Sequence, residues 1–230
     1  MNTARDYASI FQQHQAGQLQ EALAGYLPLI EREPHHVDAL VSLATLYLQL
    51  GKLTESAGYF ERALAIEPRK LLALHNYAFC LKQQKLFEQA LTQFDLAIAV
   101  DPHYELAHKN KCAVLASLGR AAERVSALQQ ALHHVPHSTD LTLLLVASLR
   151  EAKQSTQALL HIEQLLQMKP ELVTAHNIHG NILLDLGRFE EAVSAYSKAI
   201  SLQADYAKAH GNLAIAYLNL AEYAKALASF

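Results

Sequence analysis

Histidine and asparagine are the side chains of this sequence whose type and spacing could do chemistry. There are 13 histidines. His176 and His179 stand three apart, a spacing that on a helix could present two nitrogen ligands to one metal ion. No cysteine or carboxylate accompanies them at ligand spacing, so a packing role is expected and no metal site is assigned. His133, His134 and His137, around Pro136, read as a helix end, where an imidazolium complements the carbonyl end of the dipole. Asparagines form the second group, namely Asn76, Asn110, Asn177, Asn181 and Asn212. An amide side chain carries two donor hydrogens and an acceptor oxygen, which matches the alternating polar groups of an extended peptide main chain. No phosphate-binding loop, nucleophile elbow, H-E-x-x-H or paired-cysteine motif occurs, and Glu190 and Glu191 read as part of a solvated helical face. The chain as given is therefore expected to have no catalytic site and no cofactor.

The elements that must position these residues are short helices. Pro34, Pro68, Pro102, Pro136 and Pro170 repeat every 34 residues, and they are five of the chain's 6 prolines. That interval suits a helix–turn–helix unit stacked on copies of itself. With proline as position 32 of a unit, units begin at Thr3, Val37, Leu71, Glu105, Thr139, Val173 and Ala207. Position 8 is mostly small (Ile10, Ala44, Ala78, Cys112, Val146, Gly180, Ala214), and position 20 is alanine except at Ser56 and Arg124. Position 24 is large throughout: Tyr26, Phe60, Phe94, Leu128, Ile162, Tyr196 and Phe230. Small residues at 8 and 20 allow two helices to approach closely, and the large residue one turn on fills the space beside the contact. Position 15 carries glycine in four units, as Gly17, Gly51, Gly119 and Gly187, which predicts a left-handed helix stop.

Small-8, Ala-20, aromatic-24 and Pro-32, together with Tyr/Leu-11 and Ala-27, resemble the tetratricopeptide repeat over essentially the whole chain. The resemblance implies an all-α, right-handed α-solenoid of seven helix–turn–helix units, the last incomplete, forming a single superhelical domain over residues 3–230. It also implies that the first helix of each unit lines the concave surface. On such a helix positions 2, 5, 6, 9, 12 and 13 share a stripe. The groove candidates are then Asn76, Lys82, Lys109, Asn110, Leu144, Asn177, Asn181 and Asn212. The run of asparagines resembles the asparagine ladder in the superhelical repeats of the O-linked N-acetylglucosamine transferases, interrupted at position 6 by Leu144 and Ile178. Leu143, Leu144 and Ala147 make the fifth unit's stripe apolar. The carboxylate clamp by which some repeats hold acidic chaperone tails is missing, because Ala113 and Leu144 follow Lys109 where the clamp needs asparagine.

Departures from the pattern carry their own expectations. Pro28 lies inside a second helix and should kink it near Ala24. Arg124 at position 20 and Lys111 at the usually apolar position 7 make residues 105–165 the expected loosest part of the stack. The last unit stops at Phe230, halfway through its second helix. That predicts either a longer natural chain or self-association through an open edge. The column His108, His176 and His210 at position 4, broken by Thr142, is expected to pack between units.

Bulk properties narrow the class further. The chain of 230 residues is 51% hydrophobic, ample for a continuous core. A net charge of −3 argues against a general nucleic-acid or anionic-membrane surface. No apolar run is long enough to span a bilayer, and the N-terminus lacks a basic-then-apolar leader. Two cysteines, Cys80 and Cys112, suit small core slots, so a reducing, cytoplasmic setting is expected. These readings converge on a scaffold whose groove binds a protein or extended peptide. The alternatives are the N-terminal targeting region of a larger enzyme such as a bacterial glycosyltransferase, and a self-assembling scaffold.

Overall fold

The computed structural model describes residues 3–229, and among them the regular structure is entirely α-helical. First helices of the units are α1 (Thr3–Gln15), α3 (Val37–Gln49), α5 (Leu71–Gln83), α7 (Glu105–Ser117), α9 (Thr139–Glu151), α11 (Val173–Asp185) and α13 (Ala207–Asn219). Second helices are α2 (Leu19–Arg32), α4 (Leu53–Ile66), α6 (Phe87–Val100), α8 (Ala121–His134), α10 (Ser155–Met168), α12 (Phe189–Leu202) and α14 (Tyr223–Ala228). Each first helix begins at the predicted unit start, and the 34-residue phasing holds throughout.

The chain divides into two compact bodies, Met1–Gly119 and Arg120–Phe230. The division falls at the turn of the fourth unit, inside the 105–165 stretch where the repeat departs most from its pattern. Within each body consecutive helices pack in chain order, and first helices also touch first helices: α1 with α3, α3 with α5 and α5 with α7 in one body, α11 with α13 in the other. Each body is thus a stretch of α-solenoid.

Burial follows the slots. Ala22, Ser56, Ala90, Ala158 and Ala192 are fully buried at position 20, as are Tyr26, Phe60, Phe94, Leu128, Ile162 and Tyr196 at position 24. Phe230, the seventh residue of that column, lies outside the described residues. Ser56 satisfies its hydroxyl by donating to the Ala44 carbonyl at 2.8 Å, so a polar group fits an alanine slot without an unpaired donor. Arg124 instead sends its guanidinium to the Glu151 carboxylate, and the Lys111 ammonium reaches Asp95 at 2.6 Å, so each long stem packs while its charge is paired. Helix α2 continues from Leu19 to Arg32 with Pro28 inside it.

All seven turn slots adopt positive φ, including three that are not glycine: Lys85 (62°), Lys153 (61°) and Ala221 (58°). The hydrogen bonds explain the demand. In the second unit the Lys52 amide donates to the Tyr47 carbonyl at 2.9 Å and the Gly51 amide to Leu48 at 3.1 Å, a Schellman stop. The same bonds recur at Lys85–Leu86, Lys153–Gln154 and Ala221–Glu222, so these residues accept a left-handed backbone to keep the stop. Glycine relieves the Cβ strain of that conformation. Lys85→Gly, Lys153→Gly and Ala221→Gly should therefore each raise the unfolding free energy by about 0.5–1 kcal/mol. Denaturant melts of the single variants check this, and a loss of stability would show that the side chains do more than tolerate the turn. Ala192→Leu should cost roughly 1–3 kcal/mol by overpacking the α11–α12 contact; a loss under about half a kcal/mol, typical of surface positions, would contradict the register.

Candidate functional site

The asparagines of the first-helix stripe meet their neighbours in a regular way. Position 6 of one unit lies against positions 5 and 9 of the unit before. Asn212 (α13) donates through Nδ2 to Asn177 Oδ1 and Asn181 Oδ1 (both α11), each at 3.0 Å. Asn76 (α5) donates to Thr45 Oγ1 (α3) at 3.2 Å, repeating the position-9 contact. Asn110 (α7) lies 3.4 Å from His75 Nε2 (α5), and Tyr7 Oη lies 3.0 Å from Ser42 Oγ, repeating the position-5 contact. The stripe is therefore stitched across units by side chains, so part of each amide's donor capacity is already committed.

In the Arg120–Phe230 body three of the predicted residues come together. Asn177, Asn181 and Asn212 line a cleft of about 710 Å³ between α11 and α13, with Ile178, Ile215 and Lys208. Asn177 is buried, and Asn181 and Asn212 are half-buried. Asn181 Oδ1 also accepts the Tyr196 hydroxyl at 2.8 Å. Tyr196 is fully buried from α12, and burial pushes its phenol up, so it remains a protonated donor. With both Oδ1 atoms engaged, the Nδ2 groups of Asn177 and Asn181 and the Oδ1 of Asn212 have no partner among the described residues. Two donors and one acceptor thus remain beside a partly apolar wall.

Tyr196 can reach Asn181 because position 8 of this unit is glycine. A Cβ on Gly180 would lie 2.5 Å from Tyr196 Cε1. Sequence reasoning read Tyr196 as core filler; the signal that could have found its second role was the coincidence of glycine at 8 with a hydroxyl-bearing ring at 24.

The other candidates lie apart from this cluster. Leu144 is 38% exposed on α9, beside the half-buried Leu143. In the Met1–Gly119 body, Asn76 lines a separate cleft of about 520 Å³ between α3 and α5. Lys82 is half-buried, its Nζ 4.9 Å from the Phe79 ring centroid, and Lys109 is half-buried on α7.

The position-4 histidines have one shared job. His108, His176 and His210 each place Nε2 at 2.8–2.9 Å from the carbonyl at position 32 of the preceding unit, namely Pro102, Pro170 and Ala204. The carbonyl can only accept, so Nε2 carries the proton, and each histidine clips its helix to the loop before it. Thr142, which breaks the column, donates to the Ser138 carbonyl at 2.8 Å. Among the described residues no cluster of three or more histidine, cysteine, aspartate or glutamate side chains gathers in metal-binding geometry. Cys80 and Cys112 are buried free thiols, and no described helix is long and apolar enough to cross a membrane.

Comparison with known proteins agrees with this architecture. Family models described as "Tetratricopeptide repeat" and "TPR repeat" match residues 15–70 and 180–221. Together with the seven phased units, these matches support a tetratricopeptide-repeat protein. Human tetratricopeptide repeat protein 17 is 27% identical over 97 residues, which is 41% of this chain and 8% of that protein. Among solved structures, the C-terminal part of a TPR repeat-containing protein from Cytophaga hutchinsonii superposes with a TM-score of 0.80 at 15% identity, covering 95% of this chain and 88% of that one. YrrB, described as a TPR protein with an unusual peptide-binding site, superposes with a TM-score of 0.63 at 17% identity, over 80% of this chain and 95% of its own. At these identities the solved structures speak to fold.

Two predictions follow from the geometry. Gly180→Ala should displace the Tyr196 ring and lower stability by roughly 1–3 kcal/mol; Gly180→Ala with Tyr196→Leu should recover part of the loss, and no recovery would contradict the contact. Burial also holds His75, His161 and His179 below the ordinary imidazole range. As pH falls through about 6.5 the unfolded chain binds protons before the folded one, so stability is level above about pH 7 and declines below it. His75→Gln should flatten that decline in a series of thermal melts, and an unchanged slope would contradict it.

Proposed function

We propose that the first-helix face of the Arg120–Phe230 body binds an extended peptide segment by its main chain, through Asn177, Asn181 and Asn212. Tetratricopeptide repeats generally mediate protein–protein interaction and are typically non-catalytic scaffolds. The observation that carries the finer reading is the Tyr196–Asn181–Asn212–Asn177 network, which holds three amides in fixed orientation with two donors and an acceptor left over. An extended strand offers carbonyls and amide hydrogens in alternation and needs such a complement. Ile178 and Ile215 beside the amides give a side chain of the ligand an apolar surface. YrrB, of the same fold, is described as having a peptide-binding site, which is consistent with this use of the fold.

The test is a peptide selection. A displayed library of random heptapeptides is enriched on the whole chain, and the selected peptides are then titrated against the Asn177→Ala/Asn212→Ala double variant. Binding should weaken about tenfold, the worth of one to two hydrogen bonds, with little dependence on peptide side chains beyond one apolar position. Undiminished binding by a variant that still melts cooperatively would overturn the proposal.

A further inference from the structure

The second cleft, in the Met1–Gly119 body, has a different chemistry. Its walls come from α3 (Thr45, Leu48, Gln49), the start of α4 (Leu53) and α5 (Asn76, Phe79, Gln83), and no acidic residue lines it. Its volume of about 520 Å³ is within the range of small-ligand and side-chain pockets. Leu72 is 52% exposed and lies on the same stripe of α5 as Asn76, Phe79 and Gln83, so the apolar surface continues past the cleft.

Charge decides what this surface fits. Lys82 Nζ sits 4.9 Å from the centroid of Phe79, a wall of the cleft. Lys82 has no carboxylate partner among the described residues, and neither does Lys85 at the adjoining turn. By contrast, Lys70 and Lys111 are each paired with carboxylates in the same body. An ammonium held over an aromatic face beside apolar walls, with no counter-charge in the lining, is complementary to an anion that arrives with a hydrophobic group.

We propose that the α3–α5 cleft takes a peptide segment carrying a large apolar side chain next to a carboxylate. The apolar group enters between Leu48, Leu53 and Phe79; the carboxylate meets Lys82; Asn76 and Gln83 hydrogen-bond the intervening main chain. This site lies in the other body from the asparagine cluster and shares no residue with it, so either reading can fail without the other.

The experiment uses three fluorescent peptides in a glycine–serine background, each with a central phenylalanine flanked on both sides by glutamate, by glutamine or by lysine. Anisotropy is measured against the whole chain. The glutamate peptide should bind tightest and the lysine peptide weakest, with a separation of roughly three- to fivefold per ion pair that narrows as salt is added. Lys82→Glu should erase or invert the order while leaving the melting temperature unchanged. Phe79→Leu should weaken all three peptides, and the charge reversal Lys198→Glu in the other body should leave the order intact. Equal binding of the three, a preference that survives Lys82→Glu, or no binding at millimolar peptide would overturn the proposal.

Discussion

Close helix approach at small residues is the constraint from which the rest of this structure follows. Two helices can lie together along positions 8 and 20 only if neither position carries bulk, and the ring or branched chain at 24 then has a slot to fill. Tyr196 shows how far the consequence travels. Its ring occupies space that any side chain at Gly180 would need, and its hydroxyl donates to Asn181 Oδ1 and fixes that amide. Packing in the core thereby sets the orientation of a polar group on the face.

The same logic explains why the asparagine stripe is regular. Within each body, stacking at a constant period brings position 6 of a unit beside positions 5 and 9 of the one before, and a short amide there spans the gap. Where the pairs are polar the units are stitched, as at Asn76–Thr45 and Asn212–Asn177. Where they are apolar, as Leu143 and Ala147 before Ile178, the stripe presents hydrocarbon instead. An asparagine in this position is therefore structural through its Nδ2 and available through its Oδ1.

Much of this was legible in the chain itself. Proline spacing and the columns at 8, 20 and 24 located every first-helix start and the buried residues of those columns, because intra-unit contacts repeat with the sequence. The left-handed turns at Lys85, Lys153 and Ala221 were masked by their residue types, and the backbone bonds of the stop override the propensity there. Contacts between units were harder to read. That Asn212 would spend its donors on Asn177 and Asn181, or that His108, His176 and His210 would clip the preceding loop, depends on distances that a period does not encode. The division after Gly119 falls between Lys111 and Arg124, charged residues in slots that elsewhere hold packing groups.

The central claim, that the first-helix face of the Arg120–Phe230 body presents its amides to a peptide main chain, is tested most directly by following the side-chain amide resonances of Asn177, Asn181 and Asn212 by nuclear magnetic resonance during titration with a bound peptide. The account predicts that these three pairs of signals shift together and saturate with the binding curve. Stationary asparagine signals, with the shifts confined to residues on second helices, would contradict it.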